Sequence, residues 1–371
     1  MRHVTIGRIW NIPIRLHISL LVFLPILAWL LGSGEQIGLY VGVINAVWPG
    51  SLDPATFAVG ARSWTIGIAG AIGLFASVAI HELGHAWAGM RYGYRVESIT
   101  LWLLGGLASF ESIPREWDRE LVIALAGPGT SYALAAGFAL VLQVAPASQP
   151  VLVFVLGFLA ILNVLLATFN LLPAFPMDGG RVLRALLARS RPYASATRTA
   201  ARVGIGFAAL FVIIGVLAFE IITLLLGLFI YVAATTESRS VLIEELLSGL
   251  TAGDLAAREP SVDVDTPVDD LLSHMLAARR TDLLVREGDT IVGIVTAGAL
   301  RSAASGQRVG DIATTDLPRL DVATTAFDAL NELGRGGRDV ALVEQAGQPV
   351  GAISRADFAM ALELGRGDTP P

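Results

Sequence analysis

The chain of 371 residues contains no cysteine. Disulfides and thiolate metal sites are therefore excluded, and any zinc must be held by histidine and carboxylate side chains. Lysine is absent too, so all 26 basic residues are arginine, which we attribute to genome composition. Only 16% of the residues are charged, whereas 54% are hydrophobic, and the mean hydropathy is +0.65. This excess of apolar residues indicates a membrane protein rather than an ordinary soluble domain.

Charge is distributed unevenly along the chain. Residues 1–240 hold 15 arginines against 11 acidic residues, a net charge of +4, whereas residues 241–371 hold 11 arginines against 21 acidic residues, a net charge of −10. We expect the first part to be a membrane domain and the second an acidic soluble domain. Neither part has the basic composition of a nucleic-acid-binding protein, so no nucleic-acid partner is expected.

Apolar runs predict about six membrane helices, because roughly 20 such residues cross the hydrocarbon core of a bilayer. The first four are placed at about 18–31, 64–90, 119–143 and 151–172. The apolar stretch of 203–236 is too long for one straight crossing. We expect two short helices there, joined by a turn at Phe219-Glu220, and one long tilted helix is the alternative.

The segments that flank these helices differ in polarity. Residues 1–17 carry three arginines before an apolar run, as a signal peptide does, but no small-residue cleavage site follows, which favours a retained first helix. Residues 33–63 contain glycine, proline and few charges, and are predicted to be an exposed loop that partly dips into the membrane. The six arginines of 181–202 predict a polar loop or a short surface helix.

Arginine placement predicts the orientation in the membrane, since arginine-rich loops stay in the cytoplasm. With six crossings, one side holds the N-terminus, 91–119, 181–202 and everything after 237. That side receives every arginine of residues 1–240 except Arg62. We therefore expect both termini in the cytoplasm. The protein itself is expected to be a multi-pass protein of a prokaryotic plasma membrane, in contact with membrane lipid.

The pattern H-E-x-x-H lies inside the second predicted helix. A helix places residues four apart on one face, so His81 and His85 can hold one Zn²⁺, and Glu82 can act as the general base on the metal's water. From residue 64 to 88 these three are the only ionisable side chains. Ionisable residues within a membrane helix usually mark a working site. A soluble helix that matched the pattern by chance would need no apolar shell of this length.

A zinc hydrolase needs a third protein ligand and leaves the fourth position to water. The other histidines, His3, His17 and His274, lie before the first helix or in the soluble part, and we assign them structural or solvated roles. Asp178 is the best remaining candidate, because it follows proline-containing, irregular backbone near the membrane depth of the two histidines. The alternative is that Asp178 only caps a short helix beginning at Gly179.

Asn170 ends the fourth predicted helix, close to Asp178 in the sequence. We expect its side-chain amide to donate a hydrogen bond to the oxyanion that develops on a substrate carbonyl, or to hold an extended substrate. Packing between helices is the alternative. Asn163, two turns earlier, is predicted to join helices by hydrogen bonds.

Residues 92–118 have a composition unlike that of the helices. Gly93 and Gly105-Gly106 interrupt stretches rich in valine, isoleucine, leucine and tryptophan, which favours strands or a re-entrant hairpin over a full helix. An exposed edge strand beside a protease site can pair with an extended substrate. A hairpin at the membrane surface without that role is the alternative.

Residues 241–371 show an α/β pattern that repeats after some 60 residues. The strands of the first copy are predicted at about 261–264, 282–286 and 290–295. The second copy is predicted as a strand, a helix and two strands at about 318–322, 324–334, 339–344 and 349–353. Such repetition indicates a paired module, with copies at about 250–304 and 306–365.

Three separate motifs of the first part resemble the site-2 protease family of intramembrane zinc metalloproteases. They are the H-E-x-x-H pattern in a membrane helix, the pair Gly127-Pro128, and Asn170-Leu171-Leu172-Pro173 followed by Asp178-Gly179. The resemblance covers roughly residues 5–240.

This resemblance implies that His81, His85 and Asp178 bind one zinc per chain and that Glu82 is catalytic. It implies six core helices and cleavage within or beside a transmembrane segment. The substrates that it implies are single-span membrane proteins already shortened by another protease, such as anti-sigma factors.

The second part resembles the branch of this family with a C-terminal pair of CBS domains, over about 245–365. In CBS modules a stretch G-h-x-[ST]-x-x-D commonly helps to hold an adenosine ribose. The second repeat matches this stretch, with Ser354 and Asp357 in the ligand positions, whereas the first repeat has Ala299 in place of the acid. The resemblance therefore implies at most one adenine-nucleotide site.

The net charge of the second part is −10, which disfavours a phosphate-rich ligand unless an arginine such as Arg355 lies nearby. The alternative to nucleotide binding is a purely structural or dimerising pair, which would make the chain a homodimer through its CBS domains.

We therefore predict a polytopic α-helical membrane protein with a short β or re-entrant segment and a C-terminal α/β tandem CBS domain. Residues 1–240 form an intramembrane zinc endopeptidase, and residues 241–371 form a cytoplasmic regulatory domain.

A CBS-gated transporter or channel would need a polar pathway across the membrane, whereas the intramembrane polarity here is concentrated in one cluster. A catalytically inactive scaffold would be expected to lack a ligand or the base, and all four positions are present.

Overall fold

The computed structural model describes residues 3–33, 37–57, 61–103, 105–111, 114–256, 260–336 and 338–367. The chain divides into two compact units, residues 1–238 and 239–371.

The first unit is a bundle of long apolar helices. Its helices are α1 Ile18–Gly32, α2 Ile37–Val47, α3 Ala61–Arg91, α4 Trp117–Gln143, α5 Pro150–Asn170, α6 Asp178–Ala188, α7 Tyr193–Leu217 and α8 Ile221–Leu246, of which α8 runs on past the end of the unit. In the described part of the chain, α3, α4, α5, α7 and α8 are each long and apolar enough to cross a membrane. The pair α1 and α2, bent by 69°, makes a sixth span if it is counted as one.

Helix α2 overturns one expectation. The sequence predicts an exposed loop over 33–63, but an eleven-residue helix occupies Ile37–Val47 within that range, and α3 already begins at Ala61. The helix forms because Ile37, Val41 and Ile44 follow one another at helical spacing. All three are buried in a core that they share with α5.

A four-stranded sheet lies beside the helices. Its strands are β1 His3–Ile9, β2 Ile12–His17, β3 Val96–Trp102 and β4 Gly105–Phe110, in the order β1-β2-β3-β4. The prediction of strands within 92–118 is confirmed by β3 and β4, which form an antiparallel hairpin. Ile99 and Leu101 of β3 are buried in one core with residues of α3, so the hairpin is held against the helix that carries H-E-x-x-H.

The N-terminal hairpin was not predicted, since residues 1–17 were considered only as the approach to the first helix. Its turn residues Trp10 and Asn11 both have positive φ, 52° and 64°. Positive φ at both positions is the geometry of the tight turns that match strand twist. Strand β2 then pairs in parallel with β3, which joins the N-terminus to the sheet.

The end of the first unit corrects two further predictions. A turn at Phe219-Glu220 does separate two helices, as expected, but α7 and α8 have 25 and 26 residues and are not short. The predicted polar loop or short surface helix over 181–202 holds only in part, because the short helix α6 ends at Ala188 and the residues from Tyr193 belong to the long helix α7. Arg184 of α6 is only 2% exposed, since acidic residues on neighbouring helices neutralise it.

The second unit contains two copies of one α/β arrangement, which confirms the predicted α/β pair. Its elements are α9 Ala252–Leu255, β5 Ser261–Asp263, α10 Val268–Ala278, β6 Asp282–Glu287, β7 Thr290–Thr296, α11 Ala297–Ser302, α12 Val309–Ile312, β8 Arg319–Asp321, α13 Ala326–Gly336, β9 Val340–Gln345, β10 Gln348–Ser354 and α14 Arg355–Gly367. In each copy a short strand pairs in parallel with the next strand, which pairs antiparallel with the third.

Candidate active site

Two histidines of α3 form the centre of the site. His81 and His85 lie one helical turn apart, and each is 3% exposed. Their Nε2 atoms are 3.2 Å apart. Both imidazoles lie on the same face of α3, because the helical repeat places side chains at positions i and i+4 above one another.

Asp178 completes a group of three. It is the first residue of α6, and its Oδ2 atom lies 3.1 Å from the Nε2 atoms of both His81 and His85. The carboxylate is therefore directed at both histidines, which goes beyond a role in capping α6.

The three ligand atoms fit a tetrahedral zinc. Atoms at about 2.0–2.1 Å from such an ion lie about 3.3 Å from one another, close to the separations of His81, His85 and Asp178. Two imidazoles and a carboxylate are also a donor set found in zinc peptidases. The space between them depends on Gly127 of α4, since a Cβ atom there would lie 2.2 Å from His85 Nε2 and 2.6 Å from His81 Nε2.

Helix α4 also orients both imidazoles. The Nδ1 atom of His85 donates to the backbone carbonyl of Ile123 at 2.7 Å, which leaves Nε2 with its lone pair. The Nδ1 atom of His81 lies 2.9 Å from the buried hydroxyl of Ser131. Partners of this kind fix the tautomer and ring orientation of metal-binding histidines. Ile123 and Ser131 cannot be predicted as site residues from the sequence, because no local pattern marks them.

Glu82 lies beside this group and faces the sheet. Its Oε2 atom accepts a hydrogen bond from the backbone N–H of Ala108 in β4 at 3.1 Å. Gly106 of the same strand packs so closely that a Cβ atom there would lie 2.5 Å from Glu82 Cγ. The hairpin thus places a partly buried carboxylate next to the proposed metal ligands.

A pocket of about 320 Å³ opens onto these groups. Its lining includes His81, Glu82, His85, Gly106, Asn170, Asp178, Arg181 and Phe229. The Nδ2 atom of Asn170 donates one hydrogen bond to the Leu166 carbonyl at 2.9 Å, and an amide nitrogen carries a second N–H. Asn163 is not in this pocket and joins α5 to α3 through the hydroxyl of Ser77 at 2.9 Å.

The second unit brings together the other predicted site residues. The Asp357 carboxylate accepts hydrogen bonds from the backbone N–H and the hydroxyl of Ser354 at 2.8 and 2.7 Å. It also pairs with Arg280 of the first copy at 3.3 Å, and Arg280 pairs in turn with Asp282 at 3.2 Å. Both Arg280 and Ser354 line a small cleft between the two copies. Arg280 was not predicted, because 77 residues separate it from Asp357.

Arg355, the arginine expected near a phosphate-rich ligand, instead pairs with the exposed Asp339 at 3.1 Å and is not among the residues that line this cleft.

Comparison with known proteins agrees with both units. The profile of peptidase family M50 matches residues 69–150 and 143–213, and the profile of the CBS domain matches residues 252–306 and 309–364. A zinc metalloprotease of Methanocaldococcus jannaschii is 31% identical over 363 residues, which cover 96% of this chain and 95% of that protein. The protein Rip3 of Mycobacterium tuberculosis is 32% identical over 390 residues, which cover 98% of this chain and 93% of Rip3.

The solved structure of a site-2 protease from Methanocaldococcus jannaschii covers 64% of this chain and 96% of its own, with 34% sequence identity and a TM-score of 0.44. The predicted family and the predicted zinc metalloprotease activity are both confirmed by the sequence relatives, which match almost from end to end. The chain therefore belongs to peptidase family M50, the site-2 protease type of membrane zinc metalloprotease, and its second unit is a pair of CBS domains.

Proposed function

We propose that this protease cleaves single-span membrane proteins within or beside their transmembrane segment, as a step of regulated intramembrane proteolysis. The supporting observation is that His81, Glu82, His85 and Asp178 meet at one pocket on α3, a helix apolar enough to cross a membrane. His85 precedes the end of α3 at Arg91 by six residues, about 9 Å of helix. A substrate must therefore enter between helices to reach the site.

The pocket contains side chains for each role that peptide hydrolysis requires: a metal site, a general base and a hydrogen-bond donor for the oxyanion. One zinc per chain, held by His81, His85 and Asp178, would supply a Lewis acid and lower the pKa of water to about 7. Glu82 accepts a proton from the attacking water and returns it to the leaving amine. Asn170 directs its remaining N–H at the substrate carbonyl oxygen, where negative charge develops.

Strand β4 gives the substrate a place to bind. It lies at the edge of the sheet, and alternate peptide groups of an edge strand face away from its partner. An unwound substrate segment that paired with β4 would lie beside Glu82 in an extended form, which exposes its peptide bonds. We expect the substrates to resemble anti-sigma factors that another protease has already shortened. A single transmembrane span with a short remaining external segment is small enough to enter between the helices.

The Glu82→Gln variant tests the proposal. Wild type and variant are purified in detergent, analysed for zinc, and reconstituted in liposomes with a trimmed single-span protein, and products are identified by mass spectrometry. We expect one zinc per chain in both proteins and a loss of cleavage of at least about 100-fold in the variant. Equal cleavage by both proteins would refute the role of Glu82, and transport of solutes without cleavage would favour the CBS-gated transporter.

We also propose that the CBS pair binds one adenine nucleotide at the cleft lined by Ser354 and Arg280, both of which contact Asp357. The carboxylate of Asp357 can accept hydrogen bonds from a ribose, and Arg280 supplies positive charge for phosphate in an otherwise acidic unit.

Titration calorimetry of the full chain with AMP and ATP tests this nucleotide site. Asp357→Asn should weaken binding by about 10-fold or more, because it removes a charged acceptor. Arg355→Ala, outside the cleft, should bind like wild type, and absence of binding to wild type would overturn the proposal.

We further propose a homodimer that forms through the second unit. Large apolar side chains on two of its helices are exposed, namely Leu272 and Leu276 on α10 and Met360 and Leu364 on α14. Light scattering of the detergent-purified chain, beside a Leu276→Glu/Leu364→Glu variant, tests this proposal. A dimer that the variant converts to a monomer is expected, and a monomeric wild type would refute it.

A further inference from the structure

A charged cluster lies inside the helical bundle, apart from the histidines. Arg184 of α6 is 2% exposed and Glu120 of α4 is fully buried. The Nε and Nη2 atoms of Arg184 donate to Glu120 Oε1 at 2.9 and 2.5 Å. Its Nη1 atom donates to Glu237 Oε1 of α8 at 2.5 Å. The rings of Phe175 and Tyr193 cover the guanidinium at 5.0 and 4.9 Å.

Such a cluster is a costly way to hold helices together. Removing charges from water consumes most of the energy that their pairing returns, so a buried ion pair contributes little net stability compared with apolar packing. What it does provide is a defined geometry, because the planar guanidinium fixes both distance and angle to its partners. The cluster therefore contributes mainly by fixing the relative positions of the helices that it joins, and less by adding to the stability of the fold.

The cluster connects the two sides of the metal site. Arg184 follows Asp178 by six residues on α6, about 9 Å along the helix. Glu120 precedes Ile123 by one turn on α4, and the Ile123 carbonyl orients His85. Arg184 thus ties the helix that carries the carboxylate ligand to the helix that aims the imidazoles.

The third member, Glu237, brings in α8. This helix runs without a break from Ile221 to Leu246 and passes the end of the first unit at residue 238. Ile243 near its C-terminus packs on the hydrophobic core of the second unit. A rotation or shift of α8 would therefore change the contact between Glu237 and Arg184.

We propose that Glu120, Arg184 and Glu237 form a positioning cluster that fixes the position of Asp178 relative to His81 and His85. Because Glu237 belongs to α8, the position of Asp178 then depends on the position of that helix. These three are positioning residues, since none of them lines the pocket. The inference rests on the assignment of His81, His85 and Asp178 as zinc ligands, which zinc analysis tests separately.

The rate of zinc release distinguishes positioning from mere folding support. Detergent-purified full-length protein is challenged with excess chelator, and zinc loss is followed with a colorimetric indicator beside the melting temperature. Glu237 is suited to this test because its side chain is 37% exposed, so Glu237→Gln should fold. We expect its zinc to be released about 10-fold faster, the lower end of the 10- to 100-fold loss of metal affinity that follows changes in groups bonded to the ligands themselves.

Two further variants complete the experiment. Glu245→Gln, an exposed glutamate on the same helix, is the matched control and should release zinc at the wild-type rate. Arg184→Lys keeps the charge but loses the planar fork, and should release zinc faster than Glu237→Gln.

The outcomes separate this inference from the ligand assignment. Wild type without zinc would overturn the assignment and the inference with it. Wild type with one zinc and a Glu237→Gln variant with unchanged release would overturn the inference alone, even if the melting temperature fell.

Discussion

At the scale of single residues, the site depends as much on a missing side chain as on those present. His81, His85 and Asp178 are the proposed metal ligands, and the space between their ligand atoms exists because residue 127 is glycine. A metal centre inside a closely packed bundle needs such a gap, since protein interiors otherwise leave few voids. Gly127, of the family motif Gly127-Pro128, is thus part of the proposed site.

Gly127→Ala should abolish zinc binding and with it peptidase activity, because the added methyl group would occupy the space between the two imidazoles. Elemental analysis of purified protein measures the effect directly. Gly129→Ala is the matched control, since a Cβ atom there meets nothing within 4 Å. Alanine in place of glycine stabilises a helix by about 1 kcal/mol, so a weakened α4 cannot account for lost zinc. Full zinc in Gly127→Ala would place the metal elsewhere.

Asp178 has a prediction of its own. Asp178→Ala removes the only carboxylate that contacts the two histidines in the described part of the chain, so zinc content should fall well below one per chain. Asp118→Ala, an exposed acidic residue at the start of α4, should retain its zinc. Equal zinc in wild type and Asp178→Ala would mean that another residue supplies the third ligand.

At the scale of helices and strands, the parts that could be predicted are those with a local signal. The H-E-x-x-H pattern and the proline-rich break before Asp178 can be recognised in the sequence, so both halves of the proposed metal site were expected. Helix α2 was not predicted, because it is short and its glycines interrupt the run of apolar residues that would indicate a helix. Arg184 was read as a surface residue, because its neutralising partners Glu120 and Glu237 lie 64 and 53 residues away in the chain.

Strand β4 is predicted to affect Glu82, the proposed catalytic base, through one peptide group. Ala108→Pro removes the N–H that donates to Glu82, and an edge strand tolerates proline where the N–H faces outward. Loss of a hydrogen bond to a charged group costs about 1.5–3 kcal/mol. We therefore expect kcat/KM to fall about 10- to 100-fold with zinc retained. Ala108→Ser keeps the N–H and should be close to wild type, whereas equal activity in the proline variant would show that this contact is dispensable.

At the scale of the whole molecule, the proposed arrangement of the chain across the membrane rests on the distribution of charge. In the proposed topology the loop between α4 and α5 lies outside the cell and the loop between α6 and α7 lies in the cytoplasm, where arginines collect. Ser148 and Ser190 are exposed residues of these two loops. Because the chain contains no cysteine, one introduced thiol is its only thiol.

Cells that produce Ser148→Cys should therefore react with a membrane-impermeant maleimide while intact, whereas Ser190→Cys should react only after the membrane is opened. The wild-type protein, which cannot react, gives the background. The opposite pattern would put both termini outside and the CBS pair beyond the reach of cytoplasmic nucleotides. Reaction of both variants in intact cells would mean that the two loops share one side, which an odd number of crossings between Ser148 and Ser190 does not allow.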